Sequence, residues 1–338
     1  MPLGKGDELG LWPRVRKVFP SLSQGCLKHF PLRLGDDVHA KAEAHDMTAT
    51  ADLRPWKFGA RVPVAVRAVV TGLLIGMVAA NVWPVFFVVL GMPGAAVAEA
   101  AFLAAYLWWV SGGGGPRPTK EARRAAFRNV SLSRVQWLWG VAAALCFAVS
   151  VHAALVVLFR LVPYPVAAFR EGYSLPIASL PLRWLAIVVA AASAGVCEET
   201  GFRGYMQQPI EKRHGIVAAV LISSLLFMVL HMTKSWAIPG MLPIVFGAGV
   251  LLGVIAWASG SLIPGILGHT AMDVGMFAYW WSGTAGTFSA RTIAVTGIDS
   301  GFVIALGVMA LALAAVAVSI VKLHRDRLSG PLAFSSPG

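Results

Sequence analysis

The sequence predicts an all-α membrane protein, a polytopic helical bundle of about eight transmembrane helices. Of its 338 residues, 57% are hydrophobic and only 13% are charged, and the mean hydropathy is +0.71. A chain this apolar is not an ordinary soluble domain. Its apolar residues form long blocks instead of alternating with polar ones, and this pattern favours membrane helices over a barrel.

The chain divides into a bundle and two tails. Residues 1–60 are polar and charged, lack the pattern of a signal peptide and are predicted to be disordered. Met47 precedes a second plausible start of translation. The predicted bundle covers 63–325, and a C-terminal tail covers 326–338. The eight predicted spans lie near 68–90, 93–110, 136–159, 183–205, 215–232, 237–258, 261–281 and 301–321.

Basic residues predict the orientation of the bundle. The loop 112–134, the turn 211–215 and the tail 322–327 are rich in Lys and Arg, as is the stretch before the first span. By the positive-inside rule all four lie in the cytoplasm, so we expect a multi-pass protein of the cell membrane with both termini cytoplasmic. The net charge of +12 then reflects topology and anionic lipid. The bilayer is the expected partner, and nucleic acid is not.

Ionisable residues inside predicted spans are costly and usually functional. His152 and Glu99 are isolated cases, for which a structural hydrogen bond is the favoured interpretation, whereas five other residues form a candidate group. They are Glu198, Glu199, His231, His269 and Asp273. Glu198 lies 16 residues before His214, and His231 lies 16 residues after Gly215, so the two share one depth on antiparallel helices. His269 is eight residues into the seventh span, about 12 Å from the cytoplasmic surface. We therefore expect one shared site near that face.

Spacing within the helices gives more detail. Glu199 and Arg203 are four residues apart on one helical face and are expected to form an ion pair, whereas Glu198 points about 100° away, towards a cavity. His269 and Asp273 have the same spacing. Asp273 is expected either to orient His269 or to stand beside it in the cavity.

A carboxylate and two imidazoles suit the activation of water. The carboxylate takes the proton, and an imidazole polarises a carbonyl or stabilises an oxyanion. Glu198, His231 and His269 could instead bind zinc and leave a position for a bound water. These residues leave both mechanisms open. No HExxH motif occurs, and the three cysteines show no CxxC spacing.

Three motifs resemble those of one known family. EExxxR at Glu198–Arg203, FxxxH at Phe227–His231 and HxxxD at His269–Asp273 are similar to the motifs of the CPBP family, which contains the Rce1-type CAAX prenyl proteases and bacterial Abi proteins. The resemblance covers about 183–280, the expected catalytic core.

This resemblance implies an intramembrane endopeptidase, usually called a metalloprotease, that cuts a membrane-associated peptide or protein near the cytoplasmic face. Glu198 would activate water with His231 as its partner, and His269 and Asp273 would stabilise the oxyanion or complete the site. Glu199, Arg203 and Phe227 would support them. Zinc is a possible cofactor, and a metal-free glutamate mechanism has also been argued for the family.

Three other functions compete with proteolysis. The chain could be a non-catalytic membrane protein of the same fold that binds partners or acts as a bacteriocin-immunity factor. It could be a transporter or proton-coupled channel, although the inverted repeats that such proteins often show are not evident. Lastly, the polar residues could only bridge helices by hydrogen bonds.

Overall fold

The computed structural model of the full chain describes residues 62–128, 130–163, 177, 179–234, 240–286 and 291–329. These residues form helices and connecting turns, and no strand occurs among them. The predicted all-α fold is confirmed. The predicted tail 1–60, with Met47, and the last residues 330–338 lie outside the described part of the chain.

Eleven α-helices are found in the described ranges, together with short 3₁₀ and π-helical segments. The helices are α1 (Val64–Ala80), α2 (Val82–Leu90), α3 (Gly94–Val110), α4 (Lys120–Ala126), α5 (Arg134–Leu161), α6 (Leu180–Glu199), α7 (Gln207–His231), α8 (Leu242–Ser259), α9 (Ile263–Gly275), α10 (Ile293–Thr296) and α11 (Ser300–Ser329). A 3₁₀ turn (Arg117–Thr119) precedes α4, and π-helical segments (Thr200–Met206 and Met276–Trp281) follow α6 and α9.

Five helical stretches in the described residues are long and apolar enough to cross a membrane. They are Val64–Leu90, Arg134–Leu161, Leu180–His231, Leu242–Ser259 and Ser300–Ser329. The predicted count of eight is therefore not confirmed.

One of these stretches, Leu180–His231, has 52 residues. At 1.5 Å per residue it would measure about 78 Å if straight, far more than the roughly 30 Å of a bilayer core. It bends at Gly215, whose φ of +81° and ψ of 167° are not helical. Residues 206–214, which lie between the fourth and fifth predicted spans, are helical because their side chains are anchored. Ile210 is fully buried, and Glu211 forms an ion pair of 2.6 Å with Arg128.

Helix α5 lies at the centre of the bundle and packs against α8, α9 and α11. Its start is fixed by a capping box, in which Ser133 and Gln136 satisfy each other's backbone N–H groups. Phe147, Leu155 and Phe159 on α5 are buried together with Trp280. This aromatic and aliphatic core holds α9 in place beside α6.

Candidate functional site

The glutamate pair lies where the helix changes its winding. Glu198 and Glu199 end α6, and the next turn, Thr200–Met206, is π-helical. Such single-turn π segments are often found at functional sites. Glycines allow this widened turn to pack closely against α1, since a Cβ at Gly201 would lie only 2.6 Å from the oxygen of Gly72 and from the Cα of Gly76.

Small residues also bring α6 and α9 together. A Cβ at Gly195 would lie 2.3 Å from Oγ1 of Thr270, and a Cβ at Gly265 would lie 3.1 Å from Oε2 of Glu199. A larger side chain at either position would separate the two helices. The close approach allows a side chain of α6 to form a hydrogen bond with His269 on α9.

Glu199 joins two of the three motifs. Its Oε1 accepts a hydrogen bond of 2.8 Å from Nη1 of Arg203, as the spacing predicted, and lies 2.8 Å from Nδ1 of His269. Because an ionised carboxylate can only accept, Nδ1 of His269 carries the proton of this bond. Glu199 therefore fixes the ring of His269, a contact that sequence spacing did not reveal.

Arg203 links Glu199 to two neighbouring helices. Its side chain is 0% exposed, and Nη2 donates to the carbonyl oxygen of Gly249 on α8 at 3.2 Å. The guanidinium carbon lies 4.7 Å from the centre of the Phe227 ring, within the range of a cation–π contact. Arg203 thus connects α6, α7 and α8 beneath the site.

The other nitrogen of His269 faces two further carboxylates. Nε2 lies 3.6 Å from Oδ2 of Asp273 and 3.9 Å from Oε2 of Glu198. Both separations exceed that of a direct hydrogen bond. Asp273 therefore stands beside His269 in the cavity, and Glu199 is the residue that orients the ring.

His231 is held by its own helix. Its Nδ1 lies 2.7 Å from the carbonyl oxygen of Phe227, which can only accept a hydrogen bond, so Nδ1 is protonated. The Phe227 ring packs 4.4 Å from the His231 ring and 5.9 Å from the His269 ring, measured between centroids. Phe227 therefore packs against both imidazoles.

All the predicted catalytic residues line one cavity of about 400 Å³, namely Glu198, His231, His269 and Asp273. The Glu198 side chain is 14% exposed, and its Oε2 has no hydrogen-bond partner in the described part of the chain. Phe227 also lines the cavity, whereas Glu199 and Arg203 lie buried behind its wall. The structure thus brings the four residues that are predicted to be catalytic to one cavity, together with Phe227, and places Glu199 and Arg203 outside its lining.

Two other polar residues, the half-buried His152 and the buried Glu99, differ in their surroundings. His152 on α5 accepts a hydrogen bond from the Trp280 indole at Nδ1 (3.1 Å), so its Nε2 donates to the carbonyl oxygen of Met272 (3.2 Å). It holds the end of α9 next to Asp273, and the sequence treated it only as an isolated residue. Glu99 is buried on α3 and does not line the cavity.

The donor types of Glu198, His231 and His269 suit zinc, but their arrangement does not form a ready metal site. In the described residues no group of three or more His, Cys, Asp and Glu side chains is placed to hold a metal ion. One nitrogen of each imidazole is bonded, to Glu199 or to the carbonyl oxygen of Phe227, and histidines that bind metals have the same kind of bond at their second nitrogen. The chemistry proposed below uses the side chains alone.

Comparison with known proteins places these motifs in a family. Residues 180–275 match the family of type II CAAX prenyl endopeptidases described as Rce1-like. All three motifs lie within the matched segment. Neither the curated proteins nor the solved structures yield a match. The predicted resemblance to a CAAX-protease family is confirmed over residues 180–275.

Proposed function

We propose that this protein is an intramembrane endopeptidase that hydrolyses a peptide bond of a membrane-associated peptide or protein. The main support is that Glu198, His231 and His269, from three helices, line one cavity in which His269 is fixed by Glu199. The match to an Rce1-like family supports the same class of reaction.

Glu198 is the general base of the proposed reaction. Its Oε2 lies 3.9 Å from Nε2 of His269, a separation that one water molecule can bridge. Glu198 takes a proton from this water while the water oxygen attacks the carbonyl carbon of the substrate. The proton then passes from Glu198 to the amine that leaves, so each cycle consumes one water and returns the carboxylate unchanged.

The imidazoles stabilise the oxyanion that forms during the attack. A His269 ring that donates at Nδ1 to Glu199 can donate at Nε2 to the oxyanion when it is doubly protonated. Three carboxylates surround this ring and favour that form, namely Glu198, Glu199 and Asp273. His231 faces the same cavity from α7 and acts as the partner of Glu198.

Mapping of new peptide termini tests this proposal. Membranes from cells that make the wild-type protein are compared with membranes that contain Glu198→Ala at equal abundance. We expect some termini to appear only with the wild type. Glu121→Ala is the matched control, because Glu121 lies on the exposed face of α4 and should not affect cleavage.

The alternative is a non-catalytic binding or immunity protein of the same fold. In that case the termini are identical for the wild type and Glu198→Ala, and any growth phenotype survives the substitution. Either result decides between the two functions.

A further inference from the structure

A different cavity, apart from the proposed active site, lies on the basic side of the bundle. It has a volume of about 340 Å³ and is bounded by the end of α4, the start of α7, the residue after α8 and the end of α11. Among its described lining residues three are arginines and none is acidic. Its polar lining consists of Arg124, Arg128, Gln208 and Arg327.

The three arginines come from distant parts of the chain. Arg124 lies on α4 and Arg128 just after it, whereas Arg327 lies near the end of α11. The positive-inside rule accounts for basic residues on this face, but it does not require them to meet around one cavity. Their charges repel one another, so the convergence is favourable only where negative charge is shared between them.

Arg128 is the buried member of this set and forms the floor of the cavity. It is 6% exposed, and its Nη2 donates to Oε2 of Glu211 at 2.6 Å. Its Nε and Nη1 donate to the carbonyl oxygens of Arg203 (3.3 Å) and Ala256 (3.5 Å). Glu211 thus balances the charge of Arg128, and the charges of the other two arginines remain.

Arg327 is held in place without losing its charge. Its Nη1 donates to the carbonyl oxygen of Trp257, at the C-terminal end of α8, where a cation is favourable. Its Nε lies against Gly260, since a Cβ at that residue would be only 3.0 Å away. These contacts place the guanidinium beside the cavity and leave some of its five N–H groups for a ligand.

Arg124 is the exposed member of the set. The carbons of its side chain pack against Gly112, where a Cβ would lie 2.5 Å from Cγ of Arg124. In the described part of the chain neither Arg124 nor Arg327 has a carboxylate within ion-pair distance. The nearby carboxylate of Asp326 instead accepts a hydrogen bond from Oγ of Ser133 at 2.9 Å.

We propose that this cavity binds a phosphate group, which Arg124 and Arg327 share above the buried Arg128. A guanidinium suits phosphate because it offers parallel N–H donors and always keeps its charge. At about 30 Å³ per water molecule the cavity has the volume of roughly eleven waters, which is enough for a hydrated phosphate group.

The phosphate belongs either to the headgroup of an anionic lipid or to a soluble anion. Basic pockets between membrane helices on the side that the positive-inside rule assigns to the cytoplasm are typical of headgroup sites. The proposal goes beyond the proposed peptidase function and does not depend on it.

The bound group would lie next to the segment that carries the glutamate pair. Nε2 of Gln208 donates to the carbonyl oxygen of Ala125 at 2.7 Å, and a Cβ at Gly204 would lie 2.6 Å from the carbonyl oxygen of Ala126. The end of α4 therefore packs against the π-helical segment. A ligand that joins α4 to α11 stabilises this packing by mass action, so its binding is measurable as resistance to unfolding.

Thermal unfolding of the full chain in a neutral detergent tests the proposal. Phosphatidylglycerol or phosphatidylcholine is titrated into the micelles, and inorganic phosphate is titrated separately against chloride at constant ionic strength. The test variants are Arg124→Gln and Arg327→Gln. Arg117→Gln and Arg325→Gln are the matched controls, because each removes one exposed positive charge from the same side of the protein but outside the cavity lining.

We expect phosphatidylglycerol, but not phosphatidylcholine, to stabilise the wild type. The apparent affinity should fall about tenfold in each test variant, since each loses a charge-assisted hydrogen bond. The controls should stay within about twofold of the wild type, because they lose only a screened surface charge. Stabilisation by inorganic phosphate with the same dependence on the two arginines would support the site and identify a soluble anion as its ligand.

Two results would overturn the proposal. Equal losses of affinity in all four variants would show only a general attraction of anions to the basic side. Absence of stabilisation by both phosphatidylglycerol and inorganic phosphate would show that the cavity binds no phosphate. Should Arg327→Gln fail to accumulate, Arg327→Lys replaces it, because it keeps the charge but loses the paired donors. The exposed Arg124 gives a decisive variant in either case.

Discussion

The buried pair of Glu199 and Arg203 offers the sharpest test of how the site is held together. Arg203→Met removes the guanidinium but keeps an apolar side chain of similar length. It leaves Glu199 in a fully buried position with only His269 as a partner. It also removes the bond to Gly249 and the contact with the Phe227 ring.

The expected loss follows from the geometry. Two unit charges 2.8 Å apart interact with about 6 kcal/mol at an effective dielectric constant of 20. Breaking a buried pair from one side typically costs about 3–5 kcal/mol, since the remaining charge is left uncompensated. Removing both charges in Glu199→Gln/Arg203→Met avoids this penalty. The double variant should therefore be more stable than the sum of the two single losses predicts, by about 2–3 kcal/mol.

The free energy of unfolding of the four proteins is measured by detergent-induced unfolding in mixed micelles. Arg203→Lys serves as an additional variant, because it keeps the charge but loses the two-pronged donor that reaches both Glu199 and Gly249. It should lie between the wild type and Arg203→Met. Losses that simply add in the double variant would refute the reasoning, because they would show that the pair contributes no coupling.

Four other outcomes are expected. Gly201→Ala should destabilise the protein and slow cleavage because its Cβ would collide with α1, whereas Gly247→Ala, with nothing within 4 Å of its Cβ, should leave both unchanged. His152→Phe should slow cleavage in a protein that still assembles, and His152→Gln should restore part of the rate, since an amide can keep one or both hydrogen bonds. Removal of divalent metals by a chelator should leave cleavage intact, because the proposed reaction uses only the side chains of Glu198, His231 and His269. Loss of activity that zinc restores would favour the zinc mechanism. The hydrogen bond from Arg160 holds the pKa of Asp299 below its ordinary value of 3.8. The small difference in stability between the wild type and Asp299→Asn should therefore be present at neutral pH and disappear as the pH falls through that lowered pKa. A stability difference that grows in acid would contradict this sign.

Contacts within one helix could be predicted from the sequence. The ion pair of Glu199 and Arg203 and the pairing of Phe227 with His231 follow from four-residue spacing. The depth argument also placed Glu198, His231 and His269 at one level, and the three line one cavity. Helical geometry is local and regular, so arithmetic along the chain is sufficient for such features.

Contacts between helices could not be predicted in this way. The bond between Glu199 and His269 spans 70 residues and depends on close packing at Gly195 and Gly265. Depth alone does not give the rotation of neighbouring helices, so the sequence assigned the orienting role to Asp273 as one alternative.

The loop after α3 shows the same limit on the basic side of the protein. This loop was predicted only to be basic and cytoplasmic, yet Arg123 on α4 is buried and donates hydrogen bonds to the carbonyl oxygens of Trp109, Gly113 and Gly114. A buried arginine needs several acceptors, and the backbone of this loop supplies them. Composition alone does not reveal such a partner.

The central claim is that Glu198 activates water to hydrolyse a peptide bond. Membranes incubated in ¹⁸O-labelled water test this claim most directly, with the wild type compared with Glu198→Gln, which keeps the size of the side chain but cannot take the proton. We predict that new C-terminal carboxyl groups carry ¹⁸O with the wild type and that these C-termini are absent with Glu198→Gln. Labelled C-termini of equal abundance in both proteins would contradict the role of Glu198.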